Sequence, residues 1–311
     1  MTKSLRKDFR REIKKSFSRF ISILLIVTLG VAFYSGIRSS MPAMQMTADS
    51  IYDKENLMDI RVVGTLGLTD SDLKAISEIE GVEFVEGAYT TDFLCLVNSK
   101  ELVTKVIATP EKLNDVRVTE GRYPEKFNEC IVSKEFLDAS GLEIGGFVTL
   151  KTGTDASIFD TLAAETYEIV GVCSSSYFLN GDMGTATIGD GTVDGYVVIP
   201  QEAYVTNVYT SIYVQVAGAK ELDCYGEEYT KLIENMMNKI KAISDRRCDI
   251  RYSEVRSTSN ELLEKARTEF EAAEITVQTE LAEAYQKILE GRQLYEEQKE
   301  IPYKDKLEEF V

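Results

Sequence analysis

The 311-residue chain contains no histidine. That one absence removes Ser-His-Asp and Cys-His nucleophilic catalysis, HExxH zinc chemistry and imidazole proton relays together. No GxSxG elbow and no GxxxxGKS or GxxxxGKT loop occurs either, so the chain has no nucleophile elbow and no phosphate loop of its own. If ATP drives it, another chain binds the nucleotide. Cysteine is sparse: Cys95, Cys130, Cys173, Cys224 and Cys248 lie far apart, with no CxxC pair and an odd total. This is neither a disulfide framework nor a zinc site. Basic residues are scarce as well, 35 against 52 acidic, for a net charge of −17. The imbalance argues against nucleic acid, whose phosphates require a basic face. Carboxylates abound, but a solvated acidic face is far commoner than a catalytic pair, and no spacing singles out two of them. No catalytic, metal or cofactor-binding residue is proposed.

Charge is missing altogether from Phe20 to Ile37, FISILLIVTLGVAFYSGI. A helix of that length spans about 27 Å, close to the hydrocarbon thickness of a bilayer. The first twenty residues hold eight basic residues against Asp8 and Glu12, and Arg38 is the only basic residue between Ile37 and Lys54. The positive-inside rule therefore keeps the N-terminus in the cytoplasm and sends the rest outward. A cleaved signal peptide has a shorter apolar core and a small-x-small exit site, whereas SSMPAMQM follows here. A buried helix of a soluble domain is the weaker reading of a run that is apolar on every side. Thr28, Ala32 and Gly36 recur at intervals of four and form a stripe where another membrane helix can approach closely. Residues 1–19 alternate basic and apolar positions, with Leu5, Phe9, Ile13 and Phe17 at helical spacing. They read as an amphipathic arm on the cytoplasmic membrane surface.

Beyond residue 20 the chain carries 27 basic and 50 acidic residues, or −23, so its charge is divided by the membrane. Residues 38–56 read as a polar connector with Pro42 near its start. Leu57 to Val63 reads as a strand, Thr69 opens a helix with a capping-box-like Thr-Asp-Ser-Asp, and Val82–Val85, Phe93–Val97 and Leu102–Ile107 follow as strands. Together these predict a small layer of helix on sheet. The middle third reads as mostly β: Cys130–Val132, Phe147–Leu150, Tyr167–Cys173, Tyr196–Pro200 and Ile212–Val216 are apolar or alternating. The Gly-rich Gly181–Gly195 segment, with Asp182, Asp190 and Asp194, lacks the tighter alternation of a calcium loop and reads as a long hairpin. Tyr225–Ile243 forms an amphipathic helix, and Cys248–Tyr252 reads as a returning strand that completes the first layer. Residues 115–205 are then an insertion in a core domain spanning 57–253. From Thr258 the chain is helical and glutamate-rich, with Leu263, Phe270 and Val277 seven residues apart as the seam of a coiled coil over 254–311. A solvated helix is the competing reading of that stretch. The fold class is α+β: one N-terminal transmembrane helix, a mixed α/β and β-rich exterior domain, and a long C-terminal helix.

The order of basic arm, SFSRFISILLIVTLGVAFYSGIRSS, NLMDIRVVGTLGLTDSDLKAI, GVEFVEGAY, EGRYPEKFNECIVS, GLEIGG, YEIVGV and DGYVVIP resembles the N-terminal part of FtsX-like ABC-transporter permeases. More narrowly, it is similar to the long Gram-positive variants with a MacB-type core domain followed by a coiled coil. The resemblance covers essentially the whole chain and rests on block order, not on one sharp motif. It implies a porter-like α/β subdomain, a cytoplasmic ABC ATPase subunit as partner, ATP bound only in that partner, and contact with further permease transmembrane helices or a second permease copy. Family members have three more transmembrane helices, so the chain reads as an N-terminal fragment or a split permease. The action implied is mechanical, moving an exterior domain against a lipid, peptide or cell-envelope target. The alternative is a single-pass surface binding or sensor protein.

Overall fold

A computed structural model describes residues 3–97, 100–179 and 183–300. Helix α1 (Lys3–Lys15) breaks at Ser16, and α2 (Phe17–Lys54) then runs for 38 residues. Residues 38–54, read from sequence as a connector, are thus the second half of one helix. Pro42 lies inside it. Proline has no N–H to give the Arg38 carbonyl, a loss that ordinarily costs about 3 kcal/mol in a helix interior. The hydroxyls of Ser39 and Ser40 donate to the Gly36 and Ile37 carbonyls in the same turn.

A three-stranded antiparallel sheet, ordered β1 (Ile60–Leu68), β10 (Tyr209–Val216), β2 (Val82–Ala88), forms the first layer. Helix α3 (Asp70–Ser77) packs on it, opened by the expected capping box: Asp72 accepts from the Thr69 N–H at 2.8 Å. The other cover is the start of α5 (Glu227–Glu300), whose Tyr229, Leu232, Ile233, Met236 and Ile240 meet Ile60, Ile76, Ile212 and Val214. The strand expected at Cys248–Tyr252 is absent because those residues continue α5. From Asp245 the chain is a separate unit, helical to Glu300 and exposed at nearly every position.

The remaining strands are β3 (Thr90–Val97), β4 (Lys100–Ala108), β5 (Val116–Gly121), β6 (Glu129–Ser133), β7 (Phe147–Lys151), β8 (Thr166–Ser175) and β9 (Gly195–Ile199). Their order is β5-β8-β6-β9-β4-β3-β7, and β7 also pairs with β8. Strands β8, β6, β9, β4, β3 and β7 therefore close a ring, which leaves few edges open to foreign strands. One side of its wall packs Phe93, Val106, Val132, Tyr167, Val197 and Ile199, together with Phe136 of α4 (Lys134–Ser140). The other side packs Ile131, Val170, Phe178, Tyr196 and Val198. Burial on both sides explains why β6 and β9 are continuous apolar runs without alternation.

Two sequence expectations change here. The strands at Phe93–Val97 and Leu102–Ile107 belong to the ring and not to the first layer, because only Tyr89 separates β2 from β3, too little chain to turn back beside β2. The inserted portion accordingly begins near Thr90 instead of residue 115. The Gly181–Gly195 segment is no hairpin between β8 and β9, since β6 lies between them. Its described part makes a small turn of its own, with a Thr185–Thr192 bridge. Asp190 accepts from the Thr192 N–H within the turn and Asp194 from the Val103 N–H of β4, while Asp182 lies outside the described residues. All five cysteines are free thiols.

Where β5 leaves the ring, Arg122 makes a two-pronged contact with buried Glu129, at 2.7 and 2.9 Å, and the Glu125 N–H donates to the same carboxylate. The Arg122 hydrogen bonds, then the Glu125 N–H, hold the Glu129 carboxyl down at about 2, against an ordinary 4.5. A lowered folded-state pKa stabilises the fold fully above the ordinary value and loses that contribution as pH falls towards 2. Thermal melts of the wild type and Glu129→Gln should therefore differ most at pH 7, with the gap narrowing between pH 4.5 and 2. A gap independent of pH would show that the ionised pair is not its source.

Candidate functional site

Four residues at the end of α2 gather the rest of the domain around them. The helix stops at Glu55, and Asn56 takes the left-handed conformation at φ 50°. Asparagine tolerates that region because its short amide bonds locally. The Leu57 N–H then reaches the Tyr52 carbonyl at 2.9 Å and the Asn56 N–H the Asp53 carbonyl at 3.4 Å, the paired closure of a Schellman motif. The turn aims Glu55–Met58 into the seam between the two sheets.

The ring side holds this segment through its β4–β5 loop. The Asn114 and Asp115 N–H groups donate to the Asn56 and Glu55 carbonyls, each at 2.8 Å. The Met58 N–H donates to Asn114 Oδ1 at 3.0 Å, and Asn56 Nδ2 to Asp115 Oδ2 at 2.8 Å. Glu55 is buried, and its Oε2 accepts from the Ser176 N–H at 2.9 Å, where β8 ends in a short 3-10 turn. The small-sheet side holds it next. Lys220 donates to Asn56 Oδ1 at 2.5 Å. Asp59 accepts from the Val216 N–H at 2.7 Å and from the Tyr229 hydroxyl of α5 at 2.9 Å. Burial raises the Asp59 pKa, and those two hydrogen bonds oppose the rise. Nearly two turns back in α2, Asp49 accepts from the Cys224 N–H at 3.0 Å, just before α5 begins. A third tie joins the sheets directly: Glu86 of β2 accepts from the consecutive N–H groups of Glu111, Lys112 and Leu113 at 2.7, 2.9 and 2.8 Å.

The long helix is therefore clasped by both sheets and by the root of α5. Hydrogen bonds to charged groups are worth about 1.5–3 kcal/mol each when buried. With so many spanning one short segment, a displacement of the end of α2 displaces the sheets with it. No side chain here is poised for bond-making chemistry. Asp49, Asp223 and Cys224 bring their ligand atoms within 4.8 Å of one another. Burial first, then a hydrogen bond to Asp49 and the Asp49 charge, pushes the Cys224 thiol up to about 12.

Thr28, Ala32 and Gly36 lie on exposed positions of α2, and a Cβ built on Gly36 meets nothing within 4 Å. Leu263, Phe270 and Val277 are exposed on the second unit, Phe270 at 70%. The structure brings neither set against a partner. Sequence reasoning missed Glu55, Asn56, Asp59 and Glu86. The one local signal was Asn56 following Lys54-Glu55, a left-handed helix stop; the others became visible only once their long-range partners were placed.

Residues 20–228 match the family model described as the MacB-like periplasmic core domain. Among solved structures, the chain is similar to the extracellular domain of the noncanonic ABC-type transporter YknZ from Gram-positive bacteria, at 14% identity over 56% of this chain and 87% of that one, TM-score 0.33. It is similar also to the periplasmic region of MacB from Actinobacillus actinomycetemcomitans, at 11% identity over 58% and 75%, TM-score 0.33. No curated protein matches it.

Proposed function

Because the chain belongs to the MacB-like periplasmic core domain family of ABC-transporter permeases, we propose that it works as part of a permease subunit that turns ATP hydrolysis in a separate cytoplasmic ATPase into movement of its exterior domain. That movement would export or extract a lipid, peptide or cell-envelope target. The observation that carries this reading is the unbroken α2. Thirty-eight helical residues extend about 57 Å, roughly twice the hydrocarbon thickness, so the helix leaves the membrane still rigid. It then ends in the Glu55–Met58 clasp with no flexible loop between. Tilting its membrane half would swing the clasped domain. Nucleotide binds only in the ATPase partner. Thr28, Ala32 and Gly36 would face the remaining permease helices or a second copy, and Leu263, Phe270 and Val277 would form the coil seam.

Purification of the tagged full chain from its native membrane in mild detergent should carry an ABC ATPase with it. Inserting three glycines between Lys54 and Glu55 should leave that association and ATP hydrolysis intact. In the wild type, spin labels placed on α2 and on the exposed face of α4 should keep one distance through the nucleotide cycle, because helix and domain move as one body, and the insertion should make that distance depend on nucleotide. An ATPase-free preparation, or an unchanged distance response in the glycine variant, defeats the coupling reading. Gly36→Leu should cut recovery of associated membrane helices about tenfold; full recovery removes the packing stripe.

A further inference from the structure

The two sheets leave a cleft of about 440 Å³ between them, lined by Arg61, Thr90, Lys105, Tyr177, Phe178 and Met183. Arg61 comes from β1 of the small sheet, while Thr90 and Lys105 come from β3 and β4 of the ring. The volume falls in the range of small-molecule sites.

Its charge runs against the rest of the chain. Lys105 is paired with Asp92 at 2.6 Å, which leaves little of its charge to spare. Arg61 has no carboxylate within salt-bridge range among the described residues. Its guanidinium is instead held by two neutral hydroxyls: Nε donates to Ser211 Oγ at 3.0 Å and Nη1 to the Tyr177 oxygen at 2.9 Å. Such partners fix the direction of the fork without neutralising it. Tyr177 accepts from Arg61, so its own hydroxyl proton remains available to a ligand. In a chain of net charge −17, an oriented and uncompensated arginine beside a hydroxyl donor is a local positive site. The aromatic side chains beside it are already ordered. Tyr177 meets the Phe178 ring edge-on at 4.7 Å, and Phe178 stacks on Tyr196 at 4.6 Å.

We propose that the cleft between the sheets binds a phosphate ester, its oxyanion on Arg61 and the Tyr177 hydroxyl and its organic part against Tyr177, Phe178 and Met183. The planar fork of arginine matches a phosphate in a two-pronged contact, and the cleft is too large for the phosphate alone. The same chemistry is offered by a soluble sugar or glycerol phosphate and by a phospholipid headgroup. The site does not depend on the coupling reading, since binding needs neither ATP nor a partner subunit.

Titration calorimetry on the full chain in neutral detergent tests it, with glycerol phosphate and a short-chain phosphatidylglycerol as probes and short-chain phosphatidylcholine and an acidic peptide as comparators. At least one of the two anionic phosphate probes should bind with one site per chain. Arg61→Gln should weaken it about tenfold and Tyr177→Phe about threefold, and Lys134→Gln on α4 should change nothing. Equal affinity for both probes marks a soluble ester as sufficient; binding of the lipid alone marks the headgroup in its lipid setting. Tyr177→Phe keeps the ring and serves if Arg61→Gln fails to fold. No binding of either probe, binding unaltered in both variants, or preference for the acidic peptide overturns the proposal.

Discussion

Glu86→Ala is expected to destabilise the exterior domain by about 3–5 kcal/mol. Glu86 is nearly buried on β2, and its two oxygens take the N–H groups of Glu111, Lys112 and Leu113 in succession. Truncation strips three backbone donors of their charged acceptor at once. Leu113, fully enclosed and packed with Ala88 and Tyr213, resists moving outward to find water. For a domain of this size the melting temperature should fall by roughly 10 °C. Glu86→Gln should fall between alanine and wild type, because its single oxygen can still accept while its amide nitrogen faces a donor. Thermal melting of the full chain in detergent, followed by circular dichroism, reads all three. A loss below about 1 kcal/mol in the alanine variant would mean that the loop holds its shape without the carboxylate and that this tie between the sheets is dispensable.

Gly195→Ala should cost at least about 3 kcal/mol, the upper end of ordinary overpacking. A Cβ there would lie 2.4 Å from Phe136 Cβ and 2.7 Å from both its Cα and its nitrogen. The obstacle is mainly the backbone of α4, which cannot rotate aside as a side-chain tip can. The close approach has a purpose in the fold. Ser133 Oγ accepts from the Phe136 N–H at 3.2 Å and from the Tyr196 N–H at 3.3 Å, so one hydroxyl caps α4 and ties it to β9. Pushing the helix outward would loosen both bonds and withdraw the buried Phe136 ring from Val132, Tyr167 and Val197. Near-ultraviolet circular dichroism should lose its tyrosine fine structure before the helical signal fades. A variant that melts like the wild type would mean that α4 and β9 have slack the structure does not show.

Both predictions concern contacts between elements, and that is where sequence reading ran out. The uncharged stretch from Phe20 to Ile37 was legible as a helix long and apolar enough to cross a membrane, because length and composition alone decide that. The Thr69–Asp72 capping box, the apolar face of Tyr229 to Ile240 and the positions of β6, β8 and β9 were also legible, since each depends on spacing within a few residues. Residues 38–54 and Cys248–Tyr252 were misread, because a polar helical stretch resembles a connector and a short alternating run resembles a strand until the neighbouring turns show that the helix never stopped.

What the chain determines alone is its division by charge and polarity: a basic arm, an uncharged helix long enough to cross a membrane, and an acidic remainder of helices and strands. These follow from local chemistry, transfer of side chains between water and lipid and the periodicity of buried faces. Tertiary structure alone decided which strands share a sheet, that six of them close a ring, and that Glu55–Met58 sits clasped where helix and sheets meet. Those outcomes depend on hydrogen bonds and packing between residues tens of positions apart. The parallel pairing of β4 with β9 and the reach of Glu55 to Ser176 leave no trace in the residues beside them.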